Sequence, residues 1–174
     1  EAKYELREAR HTMSDFQASQ GVPSFHATTI THTPKNMGRA IESIARQSGR
    51  TSGANLLGAH VEGPYINAKY KGAQNPDFLR KPAPEEYQDW IRKKVVRLIT
   101  VAPELDGADE LIRYCRKHEI EVAVGHSDAS FEQVVHAADL GLSQATHLFN
   151  GMQGLHHREP GTVGGALWDP RIFA

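Results

Sequence analysis

The sequence predicts an α/β fold in which the strands of a parallel sheet alternate with helices. Three observations support this prediction. The hydrophobic period changes repeatedly between that of a strand and that of a helix, the strand segments are almost continuously apolar, and successive strands end in polar or turn-forming residues. A chain of 174 residues with 39% hydrophobic content is long enough for one domain with its own core.

The first part of the chain predicts a helix and then one strand–helix unit. Residues 1–20 are polar with apolar side chains at helical spacing, and Gly21 is well placed to end a helix. Residues 22–31 are rich in β-branched side chains, as is typical of a strand. Pro34 then begins a segment with an amphipathic helical period, which ends near Gly49.

The strand–helix unit recurs along the rest of the chain. Four more strands are predicted, and helices follow three of them, which indicates a parallel sheet with right-handed crossovers. Residues 148–165 show neither a helical nor a strand period and are predicted to form a loop. The predicted strands are 55–61, 95–101, 120–124 and 143–147, and the predicted helices are 84–93, 105–118 and 131–140.

The polar residues at the strand ends distinguish an open doubly wound sheet from a closed barrel. An open sheet gathers its ligand groups at one switch point, whereas a barrel brings the carboxyl ends of all its strands into one ring. Four successive strands end in such residues, which favours a TIM-like (β/α)8 barrel. Such a barrel takes about 250 residues and eight units, so about five units predict one incomplete barrel domain over residues 1–174. The strand-end residues are His60, Glu62, Pro103, Glu104, His126, Ser127, Thr146 and His147.

Composition and charge argue against several classes of partner. With 20 basic and 21 acidic residues the formal net charge is −1, so we expect no nucleic acid or anionic membrane as a partner. Basic residues are in local excess over residues 69–97, where most of them are expected to form a solvated face. Cys115 is the only cysteine, which fits a reducing compartment. No stretch resembles a signal peptide or a membrane helix, and we therefore expect a cytoplasmic, soluble protein.

Three strand ends carry side chains of the types that bind divalent metals. His60 and Glu62 lie two residues apart in one strand, so their side chains point to the same face. Taken singly, Glu62 suits a buried ion pair as well as a metal site, and a lone histidine such as His126 or His147 is more often structural. Together, one carboxylate and two imidazoles at three strand tips predict a catalytic zinc-like site with an open coordination position.

Two loops are candidates for substrate contacts. Residues 64–84 form a segment of about twenty residues without a period, and loops of that length are usually functional or disordered. Residues 150–161 are rich in glycine and contain Arg158, whose planar guanidinium suits a phosphate or a carboxylate. The alternative is that Arg158 pairs with Glu159 or another local acid.

Six short motifs give the sequence a family resemblance. In their order and spacing they resemble the N-acetylglucosamine-6-phosphate deacetylases of the amidohydrolase superfamily, and the resemblance extends over roughly residues 12–174. It therefore covers almost the entire chain. The motifs are GAHVEGP at residues 58–64, KGAQNP at 71–76, VAPE at 101–104, GHSD at 125–128, THLFNGM at 146–152 and REPG at 158–161.

The resemblance implies a metal centre that this chain contains and a general base that it does not. Glu62, His126 and His147 correspond to the family's metal ligands, and Zn²⁺ is the expected ion, with Fe²⁺, Co²⁺ and Mn²⁺ as alternatives. The family's catalytic aspartate, its paired histidines on the first barrel strand and its small β-sandwich domain lie beyond this chain, the aspartate after Ala174. No catalytic residue is therefore expected here, and the chain alone is expected to be inactive.

The resemblance also implies a phosphosugar substrate. Backbone N–H groups of Asn150 and Gly151, together with Arg158, would contact the phosphate, and Gln74 stands where some relatives carry a substrate-binding histidine. The implied reaction hydrolyses the acetamido group of N-acetylglucosamine 6-phosphate to glucosamine 6-phosphate and acetate, with the aspartate transferring the proton. A homodimer is the implied assembly of the full-length protein.

Two alternatives remain open at this stage. One keeps the metal but gives another amidohydrolase, with a different amide substrate such as a cyclic amide. The other is a truncated, non-catalytic module that binds a sugar phosphate. An open half-barrel would expose unpaired strand edges, which argues against the second alternative.

Overall fold

The computed structural model describes residues 6–49 and 52–174, and this part of the chain alternates strands with helices as predicted. Its sheet has five strands, and six α-helices accompany them. Residues 1–5 of the first predicted helix lie outside the described residues. The strands are β1 (Ser24–Thr28), β2 (Asn55–Glu62), β3 (Val96–Val101), β4 (Glu121–Val124) and β5 (Gln144–Ala145). The helices are α1 (Leu6–Ser19), α2 (Pro34–Gln47), α3 (Pro84–Arg92), α4 (Ala108–Lys117), α5 (Phe131–Leu140) and α6 (Gly161–Trp168).

The strand order confirms the prediction of an incomplete barrel. The strands pair in the order β1-β2-β3-β4-β5, and every pair is parallel. A doubly wound sheet reverses its strand order at a switch point, and these strands show no reversal. Consecutive parallel pairing instead curls the sheet into part of a barrel, so the carboxyl ends of the strands lie along one rim.

The core lies between the sheet and the helices that follow its strands. Strands β2, β3 and β4 bury most of their apolar residues, as expected for a parallel sheet covered by helices, although Leu57 of β2 is 49% exposed. Leu111 and Ile112 of α4 have no solvent exposure. Trp90 of α3 is also buried and stacks on Tyr65, with ring centroids 5.5 Å apart. Fully burying a side chain such as Leu111 stabilises the fold by about 1.5–3 kcal/mol. Packing of the helices on the sheet thus fixes the positions of the strands and of the rim at their carboxyl ends.

Helix α6 is the element that the sequence did not predict. Residues 161–166 are all buried, so the segment has no polar face and no amphipathic period. Glycines allow this close packing, because a Cβ on Gly164 would overlap the Cβ of Pro160 and a Cβ on Gly165 would lie 2.7 Å from that of Val134. The prediction of a loop over residues 148–165 was therefore wrong at its end.

The long connection between β2 and α3 is ordered by capped turns. Two short 3-10 helices, Ala68–Tyr70 and Pro76–Phe78, interrupt it. Asn67 and Asn75 cap them, each accepting a hydrogen bond on its side-chain oxygen from the backbone N–H two residues later. The segment that we predicted as functional is thus a defined structure on the rim.

A half-buried ion pair fastens the end of this connection to the domain. Arg80 Nε donates to Glu86 Oε2 at 2.9 Å, and Tyr65 Oη donates to the same oxygen at 2.7 Å. Arg80 also donates to the carbonyl oxygens of His32 and Phe78. The guanidinium therefore joins the connection to the loop after β1.

In the part of the chain that the structure describes, no helix has the length and apolar character needed to span a membrane.

Candidate metal centre

Three side chains from three strand ends converge at the rim of the sheet. Glu62 is the last residue of β2, while His126 and His147 follow β4 and β5. Nε2 of His126 lies 2.8 Å from Oε1 of Glu62 and 3.1 Å from Nε2 of His147. Nε2 of His147 lies 3.6 Å from the same glutamate oxygen. The structure thus places the three predicted ligands within a single cluster.

The two histidines reach the cluster through unusual backbone turns. His126 has a φ of 51° and His147 a φ of 39°, in the left-handed region that non-glycine residues seldom occupy. Such a conformation costs on the order of 1–3 kcal/mol and persists only where surrounding contacts impose it. Here it ends each strand abruptly and turns the imidazole over the rim.

Backbone carbonyl groups determine which nitrogen of each imidazole faces the cluster. Nδ1 of His126 lies 2.8 Å from the carbonyl oxygen of Tyr70, and Nδ1 of His147 lies 2.9 Å from that of Asn150. A carbonyl oxygen can only accept, so each Nδ1 carries a proton. In the neutral rings both Nε2 lone pairs therefore point at the cluster, which is the tautomer that a metal ligand needs.

The donor set fits a divalent ion. Two imidazole lone pairs 3.1 Å apart, beside a carboxylate oxygen, repel one another unless a proton or a cation lies between them. Donors bound tetrahedrally at about 2.0–2.1 Å from zinc lie roughly 3.3–3.4 Å apart. The observed separations of 2.8, 3.1 and 3.6 Å bracket that value. Two nitrogens and one oxygen also match the three-ligand pattern of catalytic zinc sites.

The electrostatics of the cluster favour positive charge. The hydrogen bond with His126 lowers the pKa of Glu62, although burial opposes this shift. The same hydrogen bond raises the pKa of His126, again against desolvation. A proton on His126 and a cation at the cluster therefore occupy the same place and compete.

A chain of polar contacts centred on the buried side chains of His60 and Thr100 lies beside the cluster. His60 Nδ1 lies 3.2 Å from Thr28 Oγ1, and its Nε2 lies 2.7 Å from Thr100 Oγ1. Thr100 Oγ1 in turn lies 2.7 Å from Thr146 Oγ1. Burial lowers the pKa of His60. These contacts satisfy both nitrogens of the His60 ring within the sheet.

Gln74, one of the predicted substrate-binding residues, is buried against Glu62. Its Oε1 accepts from the backbone N–H of Thr31 at 2.8 Å, and its Nε2 donates to Glu62 Oε1 at 3.5 Å. The second contact is at the outer limit of a hydrogen bond. Gln74 therefore touches the carboxylate of Glu62 and lies beside the cluster.

The loop after β5 places Asn150 and Gly151 around the histidines. The backbone N–H of Asn150 donates to the carbonyl oxygen of His147, closing a tight turn. Gly151 has a φ of 58° and passes so close to His126 that an added Cβ would lie 3.2 Å from Nδ1. The N–H of Asn150, which we predicted to face the phosphate, is thus occupied in this turn.

Arg158 lies on the exposed part of the same loop. Its Nε lies 3.2 Å from Nε2 of His157, and its backbone N–H donates to Nδ1 of His156. Among the described residues Arg158 forms no ion pair, while the carboxylate of Glu159 accepts from the backbone N–H of Gly161. The alternative in which Arg158 pairs with Glu159 is therefore not observed, and the guanidinium faces solvent.

The groups that orient the histidines were not foreseen from the sequence. Tyr70 and Asn150 contribute through backbone carbonyl oxygens, which every residue possesses, so no residue type signals the role. The signal that did exist was the length of the connection containing Tyr70. Such a long connection is usually functional in a compact domain.

Comparison with known proteins places the chain among sugar-phosphate deacetylases. No protein-family model matches it. It is 43% identical over 166 residues to an N-acetylglucosamine-6-phosphate deacetylase of Vibrio furnissii, which covers 94% of this chain and 42% of the relative. It is 38% identical over 160 residues to an N-acetylgalactosamine-6-phosphate deacetylase of Escherichia coli O157:H7, with 90% and 42% covered.

Solved structures agree with the sequence comparison. An N-acetylglucosamine-6-phosphate deacetylase from Pasteurella multocida superposes with a TM-score of 0.84 at 29% identity, over 92% of this chain and 42% of that one. The Mycobacterium smegmatis enzyme gives 0.81 at 34% identity, over 86% and 39%. The resemblance inferred from the six motifs is confirmed, and the chain spans about 42% of the curated relatives.

Proposed function

Because the chain is homologous, over nearly its whole length, to a segment of the N-acetylglucosamine-6-phosphate deacetylases, we propose that the complete protein is a metal-dependent hydrolase of that kind. Its reaction would be hydrolysis of the acetamido group of N-acetylglucosamine 6-phosphate to glucosamine 6-phosphate and acetate. The observation that supports this proposal best is the convergence of Glu62, His126 and His147, with both Nε2 atoms directed at the same point.

These three residues are proposed to hold one divalent ion, and Zn²⁺ fits the donors best. When bound, such an ion supplies Lewis-acid polarisation of a carbonyl group and favours the ionisation of water. The protein contributes orientation: carbonyl oxygens hold both rings, and Gln74 lies against the carboxylate of Glu62. Fe²⁺, Co²⁺ and Mn²⁺ accept the same ligand types and remain to be compared by metal analysis.

The loop after β5 is proposed to bind the phosphate of the substrate. Arg158 presents to solvent a guanidinium that forms no ion pair with the described residues and donates from Nε to His157 Nε2, and Gly151 brings its backbone close to His126. A phosphate held there would place the rest of the sugar against the metal centre, so that binding energy orients the amide. The second hydrogen of the Gln74 amide is suited to a substrate oxygen, while Asn150 maintains the turn.

Metal binding is tested with the complete protein and its Glu62→Gln variant. The wild type should retain a divalent ion after dialysis, and the variant should lose it. Loss of a direct ligand should weaken metal binding by more than the roughly 10- to 100-fold that loss of an outer-shell partner causes. Equal metal content in the two proteins, measured by elemental analysis, would refute the assignment.

Phosphate binding is tested with Arg158→Ala. A lost hydrogen bond to a charged group costs about 1.5–3 kcal/mol, so kcat/KM for the phosphorylated sugar should fall roughly 10- to 100-fold. Activity on unphosphorylated N-acetylglucosamine should change little. Arg113→Ala is the matched control, since Arg113 is an exposed arginine of α4 that pairs with Asp109. Equal losses on both sugars would contradict the role of Arg158.

N-acetylgalactosamine 6-phosphate is a second candidate substrate. The relative of that name is 38% identical to this chain, close to the 43% of the relative from Vibrio furnissii. A panel containing both phosphosugars and a cyclic amide decides between the substrates by kcat/KM.

The family resemblance also leads us to propose that the complete protein is a cytoplasmic homodimer. Light scattering of the complete protein would test the dimeric state.

A further inference from the structure

Glu104 links two loops at the rim of the sheet. It lies between β3 and α4, is half-buried, and accepts three hydrogen bonds. Its Oε1 accepts from Asn67 Nδ2 at 3.0 Å and from the backbone N–H of Asp128 at 2.7 Å. Its Oε2 accepts from Ser127 Oγ at 2.7 Å. The carboxylate is thus held by donors from the connection after β2 and from the turn after β4.

Both loops that Glu104 joins determine where His126 lies. Ser127 and Asp128 follow His126 directly. Asn67 caps the 3-10 helix that ends at Tyr70, whose carbonyl oxygen accepts from His126 Nδ1. The backbone N–H of Asn67 also donates to the carbonyl oxygen of His126 at 2.9 Å. Glu104 therefore bonds both to Asn67, which caps the turn carrying Tyr70, and to the two residues that follow His126.

Neither loop needs Glu104 for its own local structure. The side-chain oxygen of Asn67 already caps the 3-10 helix by accepting from Lys69 N–H. Ser127 Oγ already accepts from Ala129 N–H, closing a local turn. Glu104 adds a half-buried side-chain bridge between the two loops, which are separated by about sixty residues in the sequence. It acts beside the backbone bond from Asn67 N–H to the His126 carbonyl oxygen and the exposed ion pair between Lys69 and Asp128.

We propose that Glu104 is a positioning residue for the metal centre. It holds the turn after β4 against the connection after β2, and so keeps His126 Nε2 directed at Glu62 and His147. This inference rests on the proposed function, because it concerns the ion that these three residues are proposed to bind. Outer-shell groups of this kind fix the orientation of a ligand and strengthen metal binding.

Two substitutions at Glu104 separate its hydrogen bonds from its charge. Glu104→Ala removes all three bonds, and the affinity of the complete apo-protein for Zn²⁺ should fall roughly 10- to 100-fold. Glu104→Gln should retain most of the affinity. Its amide oxygen can still accept from Asn67 and Asp128, and its NH2 group can donate to Ser127 Oγ. Dissociation constants are measured by competition with a chelating dye.

Two further variants control for loss of stability. Asp169 also has a buried carboxylate that accepts three hydrogen bonds, all from Arg171, so Asp169→Ala should destabilise the fold without changing Zn²⁺ affinity. Asn67→Asp keeps the cap on Lys69 N–H but places a carboxylate against Glu104. This exchange should weaken Zn²⁺ binding several-fold on a fold that stays intact, whether or not Glu104→Ala folds.

The outcomes are distinct. Weaker Zn²⁺ binding in Glu104→Ala and Asn67→Asp, with wild-type binding in Asp169→Ala, supports the inference. Wild-type affinity in Asn67→Asp and in folded Glu104→Ala overturns it and leaves the proposed function intact. Equal weakening in Asp169→Ala also overturns it, because the effect would then be general destabilisation. A wild-type protein that binds none of Zn²⁺, Fe²⁺, Co²⁺ and Mn²⁺ overturns both the inference and the proposed function.

Discussion

The turns that carry His126 and His147 have the same local design but different support. Both residues adopt a positive φ, and both direct Nδ1 at a carbonyl oxygen. For His147 that oxygen belongs to Asn150, three residues later in the same turn. For His126 it belongs to Tyr70, which lies 56 residues earlier in the chain. Of these two proposed ligands, His147 is therefore positioned locally and His126 by the tertiary structure.

Solvent exposure follows the same division. The side chain of His126 is 7% exposed and that of His147 is 34% exposed. Contacts between separate loops form only when those loops are packed against each other. The position of the buried His126 therefore depends on the intact fold more strongly than that of the more exposed His147. Loss of His126 or of its tertiary contacts should therefore alter stability and metal binding together, whereas loss of the His147 imidazole should alter mainly metal binding.

The largest expected effect comes from removing each imidazole in turn. His126→Ala and His147→Ala should both abolish tight metal binding, because each removes one of three ligands. In the metal-free protein, His126→Ala should also cost about 1.5–3 kcal/mol, since it breaks a half-buried charge-assisted hydrogen bond with Glu62. His147→Ala should cost less than about 1 kcal/mol. Urea unfolding of the apo-proteins measures the difference, and equal costs would contradict the division between the two turns.

A smaller effect is expected from a methyl group beside His126. In Gly151→Ala the new Cβ would lie 3.2 Å from His126 Nδ1 and 3.3 Å from the Tyr70 carbonyl oxygen, at a residue with positive φ. A left-handed conformation costs a non-glycine residue about 1–2 kcal/mol, and the crowding should displace the imidazole. The melting temperature and the Zn²⁺ affinity should therefore fall together.

Gly154→Ala is the control for this glycine substitution. Gly154 lies in the same loop and has no positive φ, and a Cβ added there would meet no atom within 4 Å beyond its chain neighbours. The variant should leave both measurements close to wild type. If Gly151→Ala lowered stability but kept full Zn²⁺ affinity, the contact with His126 would not control the ligand.

The contrast between the turns also explains how far the sequence could predict the site. Residue type and position after a buried strand were enough to select Glu62, His126 and His147, because parallel strands bring their carboxyl ends to one rim. The orientation of His126 depends on a carbonyl oxygen from a distant segment. No local pattern encodes such a contact, and the partners of Glu104 escaped prediction for the same reason.

The fold was predictable where apolar residues had a clear period. The strands and the amphipathic helices agree with their predicted positions to within a few residues. Strand β5 is shorter than the predicted 143–147, because the chain turns into the left-handed region at His147. Helix α6 was missed because residues 161–166 are buried on all sides and its exposed residues, Leu167 and Trp168, lie together at its end, so the segment has no periodic signal.

The smallest expected effect is that of Asn150→Ala. The side chain of Asn150 donates only long hydrogen bonds, 3.3 Å each, to the carbonyl oxygens of His147 and Leu148. The backbone carbonyl that accepts from His147 Nδ1 is unchanged in this variant. The free energy of unfolding should therefore change by no more than about 0.5 kcal/mol. Zn²⁺ affinity should stay within about threefold of wild type, because outer-shell losses of consequence amount to roughly 10-fold or more. A loss of affinity as large as that of Gly151→Ala would mean that the Asn150 side chain, and not the local backbone, positions His147.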